Sequence, residues 1–354
     1  MGAEKMKIGF VGCGRAAQTV HLPYFAAAEQ CQIKTLVDKR TVLASELAAR
    51  YGIPQVDEDY RVLCDDPEIQ AVVMILRETL HAPVAIDLLR AGKPIFTEKP
   101  LSNRLGEGRR MAAAAEETGQ LLMVGYMRRY DAGIETARQL MEEARSSDSF
   151  GQIVQAHIKT HGGRGTPFHY GATEPVTTTE EKPAMPAGEP DEVPESVHDL
   201  AWNTNFFDAH LTDMMLYLLD PVQRVLFADM HLEPPSRLFI YDHGRYRTTH
   251  AAGANDAGPR DESMTVWFER GRLTVRPASN FLRDVHAQVE VVRGAGSLPV
   301  VERPVIQGPW CFQAQAEDFL HCVRTGSAPR CTAADAMQNV ELVHKTSRKL
   351  AGLD

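Results

Sequence analysis

Strand-like and helix-like segments alternate through the first third of the chain, and this alternation restricts the fold more than any other feature. The apolar runs of β-forming residues are 7–11, 32–37, 71–75, 95–96 and 121–124. Segments with helical spacing separate them, a pattern typical of a parallel sheet with right-handed crossovers. We therefore predict an α/β fold whose residues 1–126 form a doubly wound Rossmann domain.

The loop after the first predicted strand has the pattern GxGxxA. The first glycine allows a tight turn, the second lets the backbone approach a diphosphate, and the small last residue lets the helix pack on the strand. A diphosphate would then lie at the positive end of the helix dipole. The residues predicted to contact it are Gly12, Gly14, Arg15, Ala16 and Ala17.

Asp38 ends the second predicted strand, where a carboxylate would accept hydrogen bonds from the ribose hydroxyls of the dinucleotide. A carboxylate at this point favours NAD, because it repels the 2′-phosphate of NADP. Lys39 and Arg40 follow directly and are suited to binding that phosphate. The predicted cofactor is NAD, with NADP left open.

Residues 127–354 predict a second, α+β domain with an open, largely antiparallel sheet, a hairpin turn at Arg270-Gly271 and closing helices within 311–352. Within it, residues 162–200 are acidic and rich in Pro, Thr and Glu. Such a segment buries too little apolar surface to offset its ordering entropy, which favours a surface loop. A lid or a dimer arm is the alternative.

Composition excludes several classes of function. The net charge of −9 argues against binding to nucleic acid or to anionic membranes. No apolar run approaches the roughly 20 residues that span a bilayer, and the first strand begins too early for a signal peptide. The six cysteines include no CxxC pair and indicate reduced thiols in the cytoplasm. The histidines lack the spacing of a metal site, so no metal is predicted.

Two further motifs follow the fifth and sixth predicted strands: Glu98-Lys99-Pro100 and the run from Gly125 to Asp131. Together with GxGxxA and the stretch from His81 to Pro100, they resemble the Gfo/Idh/MocA family of sugar and cyclitol dehydrogenases. The closing helices are also similar, so the resemblance covers essentially the whole chain.

The resemblance implies that Lys99 is the catalytic acid/base. Oxidation of a secondary alcohol removes a hydroxyl proton while hydride leaves the same carbon. A desolvated lysine near a positively charged nicotinamide has a lowered pKa and suits that proton transfer. By the same resemblance Glu98 and Pro100 shape the turn and contact the cofactor region, and the peptide between Lys99 and Pro100 is expected to be cis.

The resemblance also implies a second catalytic region, on a helix beginning near Asn205. His210 matches the family histidine, and Asp213 matches the acidic position three residues later. The family carries an aspartate four residues before the histidine, but this chain has Phe206. His210 therefore lacks its usual orienting carboxylate, and Asp208 lies on a different part of the helix surface.

The segment after the fourth predicted strand departs from the family as well. Leu76 and Arg77 stand where the family has Thr-Pro, although His81 is kept. The resemblance implies that these three residues contact the cofactor. Arg77 would either bind an acidic group of the substrate or be a solvated surface arginine. The residues expected near the substrate are Tyr126, Arg129, Asn205, Phe206 and Asp213.

The leading hypothesis is an NAD(P)-dependent oxidoreductase that transfers hydride to or from a sugar, cyclitol or related carbonyl. One alternative is an enzyme that uses tightly bound NAD transiently, for glycoside cleavage or epimerisation. Another is a dinucleotide-binding protein without turnover, suggested by the departures at Phe206 and Leu76. The long apolar strands of the second domain predict a homodimer or homotetramer formed through its sheet.

Overall fold

The computed structural model describes residues 4–147, 149–162, 174–184, 188–189, 192–233, 235–253, 260–279, 282–283, 285–294 and 298–354, with the backbone alone for 198–208 and 232. The chain divides into two compact units. The first comprises Met1–Tyr126, His169–Asp191 and Phe312–Val340; the second comprises Met127–Phe168, Glu192–Cys311 and Glu341–Asp354. Two segments that the sequence analysis places in the second domain, 169–191 and 312–340, are thus grouped with the first unit.

The first unit contains a parallel sheet. Its described strands are β1 Met6–Val11, β2 Cys31–Val37, β3 Gln55–Asp57, β4 Ala71–Met74, β5 Ile95–Glu98 and β6 Leu122–Gly125. Their order, β3-β2-β1-β4-β5-β6, is that of a doubly wound Rossmann fold and confirms the predicted fold class. β4 is buried along its whole length, as its continuous apolar run predicts.

Helices connect these strands. They are α1 Leu22–Ala27, preceded by a π-helical turn Ala17–His21, then α2 Thr41–Tyr51, α3 Arg61–Asp65, α4 His81–Arg90, preceded by a 3₁₀ turn Glu78–Leu80, and α5 Leu105–Thr118. The π-helical turn lies directly after the glycine loop, and such turns are frequent at functional sites. The short elements β3 and α3 are not predicted by the sequence, because neither is long enough to show a periodic pattern.

The second unit contains a sheet of eight described strands in the order β14-β13-β12-β11-β7-β10-β9-β8. They are β7 Ile153–His161, β8 Arg224–Leu232, β9 Pro235–Asp242, β10 Arg247–Gly253, β11 Asp261–Phe268, β12 Gly271–Arg276, β13 Gln288–Arg293 and β14 Val300–Glu302. All neighbours are antiparallel except β7 and β10. The predicted largely antiparallel sheet is therefore confirmed.

Two helices pack on this sheet: α6 Ala132–Ser146, which follows a 3₁₀ turn Met127–Tyr130, and α7 Glu195–Leu218. Met141 of α6 and Met215 of α7 share a buried core with Phe239 of β9 and Val289 of β13. Asp131 caps α6 through hydrogen bonds from the amides of Gly133 and Ile134.

Two sequence predictions about this unit are wrong. The helix that carries His210 begins at Glu195 rather than near Asn205, so the end of the predicted loop 162–200 is helical. The hairpin between β11 and β12 turns at Glu269-Arg270 rather than Arg270-Gly271, because Gly271 already pairs with Phe268. A Cβ atom at Gly271 would lie 2.6 Å from the Phe150 ring, so close packing explains this glycine.

The closing helices are α8 Cys311–Thr325 and α9 Ala333–Leu350. The ring of Phe319 on α8 lies 6.3 Å from that of Phe25 and 5.8 Å from that of Phe96, between centroids. The Val124 amide at the end of the parallel sheet donates to the Cys331 carbonyl at 3.1 Å. These contacts explain why residues 312–340 belong to the first unit. Within the described residues, no helix combines the length and the apolar character needed to cross a membrane.

Candidate functional site

The glycine turn between β1 and α1 has the two properties that its pattern predicts. Gly12 has φ +97°, and a Cβ atom there would lie 2.2 Å from the Ile75 carbonyl oxygen, so the fold itself requires glycine. A Cβ atom at Gly14 would have no heavy atom within 4 Å. Arg15 and Ala16 are exposed at the start of the helix, and Ala17 is fully buried. The turn therefore presents open space and backbone amides at a helix N-terminus, which suits a diphosphate.

The two glycines lead to a prediction that separates folding from binding. Gly14→Ala is expected to leave the melting temperature unchanged and to weaken NADH binding about tenfold or more, or ~1.4 kcal/mol, because its methyl group enters the open space. Gly12→Ala is the matched control. Its strained backbone is expected to destabilise the fold by about 1–3 kcal/mol, and the clash of its Cβ atom with the Ile75 carbonyl oxygen adds to this. Calorimetric binding and thermal unfolding measure the two effects. Equal NADH affinity in Gly14→Ala and the unmodified protein would contradict the assignment of the turn.

Asp38 follows the carboxyl end of β2, and both of its carboxylate oxygens accept hydrogen bonds from neighbouring residues. Its Oδ2 accepts from the Cys13 amide at 2.7 Å and from Arg40 Nη2 at 3.1 Å. Its Oδ1 accepts from the Arg40 amide at 2.9 Å and from Arg40 Nε at 3.0 Å. Lys39 is exposed. Asp38 therefore links the glycine turn to the start of α2, and Arg40 covers its outer oxygens.

Lys99 follows β5, at the same carboxyl edge of the sheet as Gly12 and Asp38. Its side chain is half-buried, and its peptide bond to Pro100 is cis, as the resemblance implies. Burial lowers the pKa of the Lys99 ammonium group, while the carboxylates of Glu98 and Glu78 act in the opposite direction. A lysine whose pKa is lowered in this way loses its proton more readily than an exposed lysine, which suits an acid/base role.

Glu98 is held from two sides. Its Oε1 lies 2.7 Å from His21 Nε2, and its Oε2 accepts from the Lys99 amide at 3.0 Å. Burial raises the pKa of Glu98, but the hydrogen bond with His21 and the charges of His21 and Lys99 lower it. Together they outweigh burial, so the pKa of Glu98 lies below its usual value. His21 is buried at the end of the π-helical turn. The motif lysine is thus tied, through Glu98, to the turn that follows the glycine loop.

The predicted residues after β4 have different surroundings. His81 is buried, with Nδ1 lying 3.0 Å from the Pro100 carbonyl and Nε2 lying 3.2 Å from the Leu76 carbonyl. It joins the end of β4 to the loop that carries Lys99. The Arg77 side chain is 72% exposed and lies 3.6 Å from Glu78, so it remains accessible to an acidic group. The Tyr126 side chain is fully buried, which argues against direct substrate contact.

In the second unit, Arg129 and Asp213 form a buried ion pair. Arg129 Nη2 donates to Asp213 Oδ1 at 2.7 Å, and Arg129 Nε lies 3.1 Å from both Asp213 oxygens. The two side chains are 5% and 1% exposed. The Arg129 guanidinium also lies over the Tyr217 ring, 4.9 Å from its centroid. The pair fixes α7 against the segment after β6. Arg129 and Asp213, which the sequence places near the substrate, are bonded to each other.

His210 lies on α7 one turn before Asp213 and is half-buried. The buried ion pair therefore anchors the part of the helix that carries it. The side chains of Asn205, Phe206 and Asp208 lie outside the described residues, so the predictions made for them stay predictions.

The geometry of the first unit agrees with a comparison against known families. Residues 6–126 match the family model GFO_IDH_MocA, described as an oxidoreductase family with an NAD-binding Rossmann fold. The match covers the parallel-sheet domain, about a third of the chain. The family model describes an NAD-binding Rossmann fold, and the open turn at Gly14 and the carboxylate of Asp38 fit a dinucleotide of the NAD type.

Several curated dehydrogenases are similar to this chain over less than half of its length. A 1-carboxy-3-chloro-3,4-dihydroxycyclohexa-1,5-diene dehydrogenase of Comamonas testosteroni is 31% identical over 40% of this chain and 35% of that protein. A scyllo-inositol 2-dehydrogenase (NADP(+)) of Bacillus subtilis is 28% identical over 41% of this chain and 40% of its own length. The myo-inositol 2-dehydrogenase of Thermotoga maritima is 27% identical over 43% of each chain. The matches thus span less than half of these relatives.

Solved structures resemble the whole fold. A levoglucosan dehydrogenase in complex with NADH and levoglucosan has a TM-score of 0.75 at 19% identity, covering 99% of this chain and 98% of the other. An oxidoreductase of Agrobacterium radiobacter in complex with NAD+, L-tartaric acid and magnesium has a TM-score of 0.74 at 14% identity, with 99% and 98% coverage. At these identities the likeness establishes the two-part fold.

Sequence reasoning missed three contacts of the predicted site residues and their neighbours. They are the bond between Glu98 and His21, the ion pair between Arg129 and Asp213, and the hydrogen bonds between Gln18 and Val176. The first two join residues 77 and 84 positions apart. No periodic or spacing signal connects residues so far apart in the chain. Opposite charge alone could have suggested the second.

Proposed function

We propose that this chain is an NAD(P)-dependent dehydrogenase or reductase that acts on a secondary alcohol or the matching carbonyl of a sugar or cyclitol. The observation that carries the proposal is Lys99, half-buried with a lowered pKa at the sheet edge that bears the glycine turn and Asp38. The match of residues 6–126 to the family model and the names of the curated relatives support it.

In this proposal Lys99 moves the hydroxyl proton. The nicotinamide of the bound cofactor supplies the hydride chemistry. In the direction of oxidation the neutral Lys99 amine accepts the proton of the substrate hydroxyl, and in reduction the ammonium donates it. Glu98 positions Lys99 through its backbone amide, and His21 fixes Glu98. An assisting catalytic role for His210 is part of the proposal and rests on the family resemblance. A contact between Arg77 and an acidic group of the substrate is also proposed, and the exposure of Arg77 supports it.

A binding and turnover screen tests the proposal. Calorimetry with NADH and NADPH measures cofactor binding, and nicotinamide absorbance measures turnover with a panel of polyols, inositols, amino sugars and sugar acids. Net formation of NADH with one class is the expected result. Substrate conversion with the cofactor returned unchanged would support transient use of tightly bound NAD instead. Binding without any turnover would favour a dinucleotide-binding protein, and no binding of either cofactor would overturn the proposal.

The surroundings of Lys99 predict a shift in pH dependence. Glu98 and Glu78 raise the Lys99 pKa against the effect of burial. Because Glu98→Gln removes one of these charges, the Lys99 pKa should fall further below its usual range. The base needed for oxidation is the neutral amine, so the rise of kcat/KM with pH should move to lower pH. Glu78→Gln should shift it in the same direction and by less. A shift to higher pH would contradict the role of Lys99.

We also propose a homo-oligomer in the cytoplasm. The second sheet carries exposed apolar side chains at Val154, Phe227, Leu238 and Trp267, between 40% and 55% exposed, and such groups commonly mark a subunit contact. Light scattering of the purified protein tests this: the expected mass is a dimer or tetramer, and Trp267→Lys should reduce it. A monomer at all concentrations would refute the assembly.

A further inference from the structure

The segment 174–184 is hydrogen-bonded to residues of the first unit that lie near the glycine turn and on α2. Gln18, just after the glycine turn, accepts from the Val176 amide at 2.7 Å and donates to the Val176 carbonyl at 3.3 Å. The same Gln18 amide group donates to the Cys13 carbonyl at 3.0 Å. Val176 is 8% exposed, and Arg50 donates to the Glu174 carbonyl at 3.1 Å. This part of the segment is therefore ordered on the dinucleotide domain and is not the solvated loop that its composition favours.

Glu180 of this segment occupies the start of α2. Its two carboxylate oxygens accept from the Val42 amide at 3.1 Å and from the Leu43 amide at 2.9 Å. Arg40, at the N-cap of α2, makes no side-chain capping bond, so Glu180 supplies the cap from 138 positions away. Thr178 holds Glu180 in place, since its hydroxyl donates to the carboxylate at 3.0 Å and accepts from the Glu180 amide at 3.1 Å.

The junction of β2 and α2 thus carries two carboxylates around one guanidinium. Arg40, the group best suited to a phosphate, makes a bidentate ion pair with Asp38, and the charge of Glu180 also acts on it. In Rossmann domains this junction receives the ribose 2′-hydroxyl of NAD or the 2′-phosphate of NADP. The free amides of a helix N-terminus would stabilise such a phosphate. Here Glu180 already accepts from two of them.

We propose that Glu180 is a cofactor-specificity residue, which excludes the 2′-phosphate of NADP and makes this chain selective for NAD. The carboxylate takes the amides that a 2′-phosphate would use and adds a negative charge beside it. A 2′-hydroxyl is uncharged and needs neither the amides nor Arg40. The inference rests on the proposed function only in placing the adenosine ribose at this junction.

Binding measurements on the full-length protein test the role of Glu180. Calorimetry with NADH and NADPH, and with the fragments 5′-AMP and adenosine 2′,5′-bisphosphate, separates the ribose end from the nicotinamide. Glu180→Ala frees both amides, and Glu180→Gln keeps an oxygen acceptor while removing the charge. Glu181→Gln removes an equal charge from the exposed neighbouring residue and is the matched control.

In both Glu180 variants the NADPH affinity should rise about tenfold, ~1.4 kcal/mol, with NADH affinity constant within about twofold. The bisphosphate should follow NADPH, and 5′-AMP should follow NADH. An unchanged ratio of the two affinities, an equal change in Glu181→Gln, or a preference for NADPH in the unmodified protein would overturn the inference while leaving the proposed function intact. Binding of neither dinucleotide by the unmodified protein would overturn both.

Discussion

Lys99→Ala is expected to lower kcat by about 10²–10⁴-fold while the affinity for NADH stays within a few fold. The variant removes the group proposed to exchange the substrate proton, but leaves the glycine turn and Asp38 in place. The half-buried side chain follows β5, and its amide is held by Glu98 at 3.0 Å, so truncation beyond Cβ should not displace the loop. Steady-state kinetics and calorimetric binding on the same preparation measure both quantities.

Two further variants separate chemistry from structure at this position. Lys99→Arg keeps the positive charge but cannot deprotonate at accessible pH, so it should be almost as slow as the alanine variant. Added primary amines should partly restore the rate of Lys99→Ala, an effect that a purely structural lysine would not give. Lys5→Ala, at an exposed lysine, is the control. Full activity of Lys99→Ala would disprove the assignment of Lys99 as acid/base.

Asp213→Ala is expected to destabilise the second unit by about 3–5 kcal/mol, because it leaves the Arg129 guanidinium buried without its carboxylate. Arg129 and Asp213 share short bonds, and both side chains are at most 5% exposed, so water cannot take the place of the lost partner. Urea unfolding followed by circular dichroism measures the change. Because His210 lies one turn before Asp213, the same variant should also have lower activity than the unmodified protein at urea concentrations too low to unfold it.

The control for this prediction is an exposed pair in the same unit. Arg138 Nε donates to Glu142 Oε1 at 3.1 Å on α6, with both side chains largely exposed. Glu142→Ala should cost less than about 1 kcal/mol, as exposed ion pairs do. The double variant Arg129→Met, Asp213→Leu should recover most of the stability lost in Asp213→Ala, since it removes both charges. A loss in Asp213→Ala no larger than in Glu142→Ala would show that the buried pair is not the anchor of α7.

The first unit is largely predictable from the sequence, and the reasons are local. β1, β4 and the glycine turn can each be predicted from a few adjacent residues. The strands show apolar runs, and the turn needs a glycine that no other residue can replace. The cis peptide at Lys99 was likewise predictable from three adjacent residues, through the family resemblance of Glu98-Lys99-Pro100.

The rest of the site depends on contacts between distant residues. The composition of 162–200 favours a solvated loop, yet Val176 and Glu180 bind groups on the dinucleotide domain more than 130 positions earlier. A carboxylate that caps a helix normally precedes that helix directly, so no local rule selects Glu180. β10 is hard to predict for a related reason: its run of small and polar residues, Arg247–Gly253, shows its alternation only once β7 and β9 lie beside it.

The first unit is assembled from three separate stretches of chain, the last of them Phe312–Val340. During synthesis the ribosome releases Phe25 and Phe96 long before Phe319, the ring that packs against both. Until α8 emerges, this aromatic surface faces water or a chaperone. The nucleotide domain, although it begins the chain, is therefore completed only when Val340 has been synthesised, and a fragment that stops at Tyr126 should aggregate rather than fold.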